Sequence, residues 1–138
     1  MSEDLKSDKQ RGVAAVEFAI VLPLLVFLFL GITEFGIAYY NKQVLTNASR
    51  EGARVGIIHN TEDATIKQVA YDYAKDRLIP YNNNFSPESI NIITSGEYIK
   101  VNAVFTYNYL VLSGFGFFGT NFGPNLDIVA STTMRMEP

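Results

Sequence analysis

Asp72 and Asp76, four residues apart, are the nearest this 138-residue chain comes to a catalytic acid pair. Paired carboxylates can divide general-acid and general-base work. Lys75 lies between them, however, and mixed charges at that spacing ordinarily mark a solvated helix face. His59 is the single histidine and there is no cysteine, so neither a zinc site nor a histidine-based triad can be assembled. The glycines between 110 and 125 follow a strand pattern but bring no lysine and open no helix, so they are not a phosphate loop. No metal, cofactor, small-molecule substrate or enzyme activity is expected. The acid that does stand out is Glu17, because it sits inside an otherwise apolar run.

That run is the chief feature of the composition. Residues 1–12, MSEDLKSDKQRG, hold three bases and three acids, whereas Val13 to Ile32 hold only the charge of Glu17, and residues 18–32 have no polar side chain. Over the whole chain, 48% of residues are apolar and the net charge is −3. This rules out a disordered chain and argues against a nucleic-acid binder.

Twenty helical residues span about 30 Å, the thickness of a bilayer's hydrocarbon core. A buried core helix is a poor alternative, because the remaining chain is too small to wrap a helix apolar on every side. A cleaved secretory signal is also a poor fit, since the run exceeds the usual ~7–15-residue core and is not succeeded by a small-x-small site. The chain continues instead as TEFGIAYYNKQVL, at helical spacing. Ile37, Tyr40, Val44, Ala48 and Val55 form one stripe, and Lys42, Thr46, Ser49 and Arg50 lie away from it. A single helix is therefore expected from Val13 to about Gly56, some 44 residues or about 66 Å. Its first half, Val13 to Ile32, is the membrane span and its second half an amphipathic stem.

Lys9 and Arg11 immediately precede the span, so the N-terminus is expected to stay cytoplasmic and the domain from residue 57 onward to face the cell exterior or periplasm. Glu17 lies near the edge of the span. A charge at the bilayer centre costs on the order of 3 kcal/mol, and less near an edge. Its carboxylate either reaches back to the interface or finds a partner. Pro23 lacks a backbone donor and crowds the Ala19 carbonyl, so it is expected to kink the helix. Gly52 and Gly56 are spaced for close backbone approach, although Gly56 also suits a helix end.

The stretch RGVAAVEFAIVLPLLVFLFLGITEFGIAYYNKQVLTNASREGARVGI, about residues 11–57, resembles the TadE-like proteins. These are pilin-like subunits of the tight-adherence (Tad/Flp) pilus, a branch of the type IVb pilus and type II secretion filament group. The resemblance rests on Gly12-Val13, Glu17, Phe18, Leu22-Pro23, Glu34 and the run Asn47-Ala48-Ser49-Arg50-Glu51-Gly52-Ala53-Arg54, taken in that order.

Several properties are implied by this resemblance. Residues 1–12 would be a prepilin leader, cut by a prepilin peptidase between Gly12 and Val13, with Gly12, Glu17 and Phe18 as recognition residues. The new amine on Val13 would be cationic at neutral pH. Val13 and Glu17 share a helix face, so the amine could pair with Glu17 of its own or of a neighbouring subunit, fixing the axial register. The implied role is that of a minor pilin or pseudopilin, with outputs in adhesion and biofilm formation. The implied partners are the peptidase, other pilin-like subunits and the assembly platform. A non-polymerising, single-pass anchored binding or secretion-platform protein is the alternative.

Residues 57–138 are expected to form a small exported α+β domain. Thr61 with Glu62 and Asp63 marks a helix start. Ile66, Val69, Ala70, Tyr73, Ala74 and Leu78 give that helix its apolar face, and Pro80 ends it. Strands are predicted over 89–94, 98–109 and 126–136, with a turn at Ser95-Gly96. Ile99, Val101, Ala103, Phe105, Tyr107, Ile128 and Ala130 should point inward. One helix on a three-stranded antiparallel sheet lets each element bury its apolar side. Between the last two strands lies LVLSGFGFFGTNFGPN, 110–125, which either packs its aromatics on the sheet or presents them to another subunit.

Overall fold

A computed structural model describes residues 2–58, 61–79, 85–109 and 125–136, with side chains from residue 12 onward. The fold is α+β, with a long apolar N-terminal helix and then a small domain in which a helix packs on a three-stranded antiparallel sheet. The chain divides into two compact units, Met1–Thr33 and Glu34–Pro138.

Helix α1 covers Ser2–Gly56. It begins ahead of the Val13 start that the apolar run predicts. No proline lies between Ser2 and Val13, and a single interior glycine at Gly12 costs only about 1 kcal/mol. The helix runs through Pro23. Among the described residues, the stretch Gly12–Gly56 is the one helix long and apolar enough to cross a membrane.

Helix α2 covers Asp63–Lys75 and buries Ile66, Ala70 and Ala74, with Leu78 buried just beyond its end. Its N-cap is Glu62, with no side-chain cap. Thr61, predicted to open α2, instead donates its hydroxyl to the Ile58 carbonyl at 2.9 Å. It thus satisfies a carbonyl in the chain leaving α1 rather than a donor of the next helix.

Strands β1 (Ile90–Ser95), β2 (Tyr98–Asn108) and β3 (Asn125–Arg135) lie in the order β1-β2-β3. Ser95 pairs with Tyr98, so Gly96 and Glu97 form a two-residue turn. Gly96 takes φ +58°, a conformation that costs an L side chain but not glycine. On β2 the alternation holds throughout: Ile99, Val101, Ala103, Phe105 and Tyr107 are all buried. Phe105 lies opposite Ile128 and Ala103 opposite Ala130, and Ile128 and Ala130 are buried as expected. Phe85 links helix to sheet, with its ring 5.8 Å from Tyr71 and 6.2 Å from Phe105.

The stem part of α1 completes this core through Val44, Leu45, Ala48 and Ala53. A Cβ on Gly52 would stand 3.1 Å from the Ala70 Cβ and 3.4 Å from the Ile66 carbonyl. One on Gly56 would collide with Ile99 Cδ1. Gly56 is also the last residue of α1, so it serves both as a close-packing position and as the helix end.

Candidate functional site

The residues expected to direct processing and assembly all lie on α1. Val13 and Phe18 are about three-fifths exposed. Glu17 is exposed too, and a Cβ on Gly12 would meet nothing within 4 Å. Val13 and Glu17 are one turn apart, which places both on one helix face. Pro23 is exposed within the same helix.

From Val13 to Ile32, twelve large apolar side chains are exposed. Returning that many side chains to water costs roughly 20–35 kcal/mol at ~1.5–3 kcal/mol each. The net stability of a folded domain is only about 5–15 kcal/mol. This surface therefore requires an apolar environment, whether lipid or other helices.

Beyond this apolar stretch, the face of α1 turned to the core carries three buried polar residues, and each engages a different element. Glu34, 2% exposed, accepts a 2.6 Å hydrogen bond at Oε1 from the Tyr107 hydroxyl on β2. Asn41, fully buried, accepts from the Ile79 backbone N–H at 3.0 Å and donates to the Ile79 carbonyl at 3.4 Å, in the chain after α2. Ser49, also fully buried, has its hydroxyl 2.7 Å from that of Thr132 on β3 and 2.9 Å from the Thr46 carbonyl. A buried polar group without a partner is costly, and among the described residues every buried side-chain N or O atom has one. Together the three contacts fix the height and rotation of the stem against α2's exit and both long strands.

Sequence reasoning missed most of this set. Glu34 entered only through the family resemblance, Asn41 went unnoticed, and Ser49 was expected on the outer face. Ser49 is inside because its hydroxyl finds Thr132. Tyr40, expected inside, is 45% exposed, while Leu45 takes the core position. The available signal was spacing: 34, 41, 45, 48, 49, 52 and 56 share a face, so polar residues there had to be buried with partners.

The charged groups on and around α2 sit on its solvent side. Lys75 bonds Asp72 at 2.6 Å, and Gln68 bonds the same carboxylate at 3.1 Å. The Lys75 hydrogen bond, with Gln68 second, holds the Asp72 carboxyl below the usual aspartate range, and Asp72 in turn raises Lys75. Ser86 does the same for Glu88, lowering its carboxyl. Asp76 is the C-cap of α2. Among the described residues no cluster of three or more His, Cys, Asp or Glu could hold a metal ion. His59 and most of the Phe/Gly-rich segment 110–125, including Phe115, Phe117, Phe118 and Phe122, lie outside the described residues.

Residues 12–54 match the family model described as TadE-like protein. The matched segment is the part of α1 that carries the apolar run and most of the buried stem face. No curated protein and no solved structure matches the chain.

Proposed function

We propose that this TadE-like chain is a pilin-like minor subunit of a tight-adherence pilus. It is inserted in the inner membrane with residues 1–12 cytoplasmic and residues 57–138 exported. A prepilin peptidase reads Gly12, Glu17 and Phe18 and cuts before Val13. The helix then passes from bilayer to filament, and the output is surface adhesion and biofilm formation. The observation that carries this reading is the coincidence of the family match, residues 12–54, with a helix whose large apolar side chains stand exposed from Val13 to Ile32. Such a surface suits a bilayer first and neighbouring helices afterwards.

In this reading Glu17 acts as a register device. The amine on Val13 of one subunit pairs with Glu17 of the next, and a wrong axial offset leaves a charge unpaired in low dielectric, where that is expensive. In this reading cleavage is the peptidase's work, and this chain contributes structure.

The test is the mass of the native polypeptide together with its recovery in sheared surface appendages. A mature chain beginning at Val13 and present in the sheared fraction is expected. An intact N-terminus that never leaves the membrane fraction would favour the non-polymerising anchor. Glu17→Ala should be inserted but fail to assemble. Full assembly of that variant would remove the register role.

A further inference from the structure

A groove of about 410 Å³ lies between the stem and β3, lined by Phe35, Ala38, Tyr39 and Lys42 on one side and by Leu126 to Val129 on the other. Phe35, Tyr39, Leu126 and Val129 are each at least 40% exposed, and contiguous apolar surface of this kind marks a contact site. The Asp127 carboxylate accepts from Thr106 at 2.8 Å, on the sheet face opposite the buried Phe105 and Tyr107. The charge that the groove presents is therefore Lys42. Its ammonium donates to the Val129 carbonyl and has three donors in all. Among the described residues no carboxylate forms an ion pair with it.

We infer that this groove receives the apolar segment around Glu17 from a second copy of the chain, with the Glu17 carboxylate against the Lys42 ammonium. The inference rests on the pilin-like reading above and gives Glu17 a second cation beside the Val13 amine. A carboxylate has two oxygens and accepts from both.

Charge complementarity picks out the segment. Three acids lie on α1 from Gly12 onward: Glu17, Glu34 and Glu51. Glu34 is buried against Tyr107, and Glu51 is paired with Arg54 at 3.2 Å. Glu17 is exposed, and its neighbours one turn away, Val13, Ile20 and Val21, are apolar and more than half exposed. The segment is thus an apolar patch holding one anion, and the groove is an apolar patch holding one cation. Joined, they cover each other's apolar side chains and pair both charges. Hydrocarbon alone would cover the side chains and leave the charges unmatched, which is expensive away from water.

Segment and groove are different surfaces, so the contact is head-to-tail. A copy that docks its segment still offers its own groove, and the contact repeats from copy to copy. Two copies that filled each other's grooves would stop at a pair.

The chain has no cysteine, so introduced thiols report contacts cleanly. Val21→Cys marks the segment and Leu126→Cys marks the groove, and neither side chain belongs to the charge pair. Full-length variants with distinct tags replace the native chain in its own cells, singly and together, and are treated with a membrane-permeant oxidant. Accumulation in the membrane at the native level establishes that each variant is inserted and folded. The expected result is a disulfide between the two variants when mixed, little from either alone, and a ladder beyond the dimer when one chain carries both cysteines. Lys42→Glu in the Leu126→Cys chain should lower the adduct by about tenfold or more. Lys42→Arg should retain it, and Glu17→Lys in the Val21→Cys chain should restore what Lys42→Glu removes.

Absence of the mixed adduct, while the native chain beginning at Val13 is recovered in sheared appendages, keeps the pilin-like reading and overturns the docking. A native chain that retains residues 1–12 and never enters those appendages overturns the pilin-like reading, and the docking with it. Equal adducts from the single variants would show clustering without a defined seat and overturn the proposal. An adduct indifferent to Lys42→Glu, or a loss that Glu17→Lys does not restore, overturns the charge pair. Products that end at the dimer overturn the repeating contact.

Discussion

The carboxylate of Glu34 on α1 accepts a hydrogen bond from the hydroxyl of Tyr107 on β2, 2.6 Å away, with both side chains shut off from solvent. Seventy-three positions separate the two in sequence, so this bond ties the first residue of the second unit to the far end of the longest hairpin. Tyr107→Phe removes the donor while preserving the ring. The protein should lose about 1–3 kcal/mol, the cost of leaving a buried acceptor without its donor, read as a lower thermal midpoint in detergent. Glu34→Gln keeps an acceptor and should cost less. An unmoved midpoint in Tyr107→Phe would show that the bond contributes nothing net.

Asn41 works differently, since its amide satisfies both the N–H and the carbonyl of Ile79. Asn41→Leu keeps the volume but removes both partners from that peptide. A loss of about 1–3 kcal/mol is expected, with faster hydrogen exchange at the Ile79 amide. Unaltered exchange would show that the amide is protected by other means.

The glycines of α1 should split by environment. Gly36 has nothing within 4 Å of a hypothetical Cβ, so Gly36→Ala should be neutral or stabilise by up to about 1 kcal/mol through helix propensity. Gly52→Ala gains the same propensity, but its new methyl meets Ala70 Cβ at 3.1 Å and the Ile66 carbonyl at 3.4 Å. Neither is the end of a flexible chain. Overpacking at about 1–3 kcal/mol outweighs the gain, and the melting point should fall.

The exposed Asp72–Lys75 pair allows a pH test. Asp72 titrates below the usual aspartate range in the folded chain, so its contribution exists above the unfolded pKa and disappears as pH falls through the folded one. Lys75 is raised, so its contribution exists below its unfolded pKa and disappears as pH rises through the folded one. Carboxyl NMR titration should place Asp72 below a free aspartate, and Lys75→Ala should move it upward. Solvent screening keeps the stability effect small. A midpoint indifferent to Lys75→Ala would contradict the assignment.

The sheet was legible because β2 alternates strictly: one face is core, and period two leaves no ambiguity from Ile99 to Tyr107. The long helix was legible because its apolar run is uninterrupted. The stem's inner face was harder to read. A stripe containing Glu34, Asn41 and Ser49 looks only weakly apolar, and periodicity cannot reveal that Tyr107, Ile79 and Thr132 wait to pair with them. Those partners lie on elements 38 to 83 residues away, a distance that single-segment patterns do not see. Gly52 and Gly56 were recognisable as close-packing positions, but Ala70, Ile66 and Ile99 as their counterparts emerged only with the fold.

Lys42 also affects how chains of this kind can join. β3 is an outer strand of eleven residues without a proline, the sort of bare ladder that recruits further strands and seeds cross-β growth. The Lys42 ammonium donates to the Val129 carbonyl midway along it, planting a positive charge in that hydrogen-bonding row. The opposite margin, β1, runs for only six residues. Strand-by-strand templating is disfavoured at both margins, so crowded copies of the chain resist gelling into amyloid.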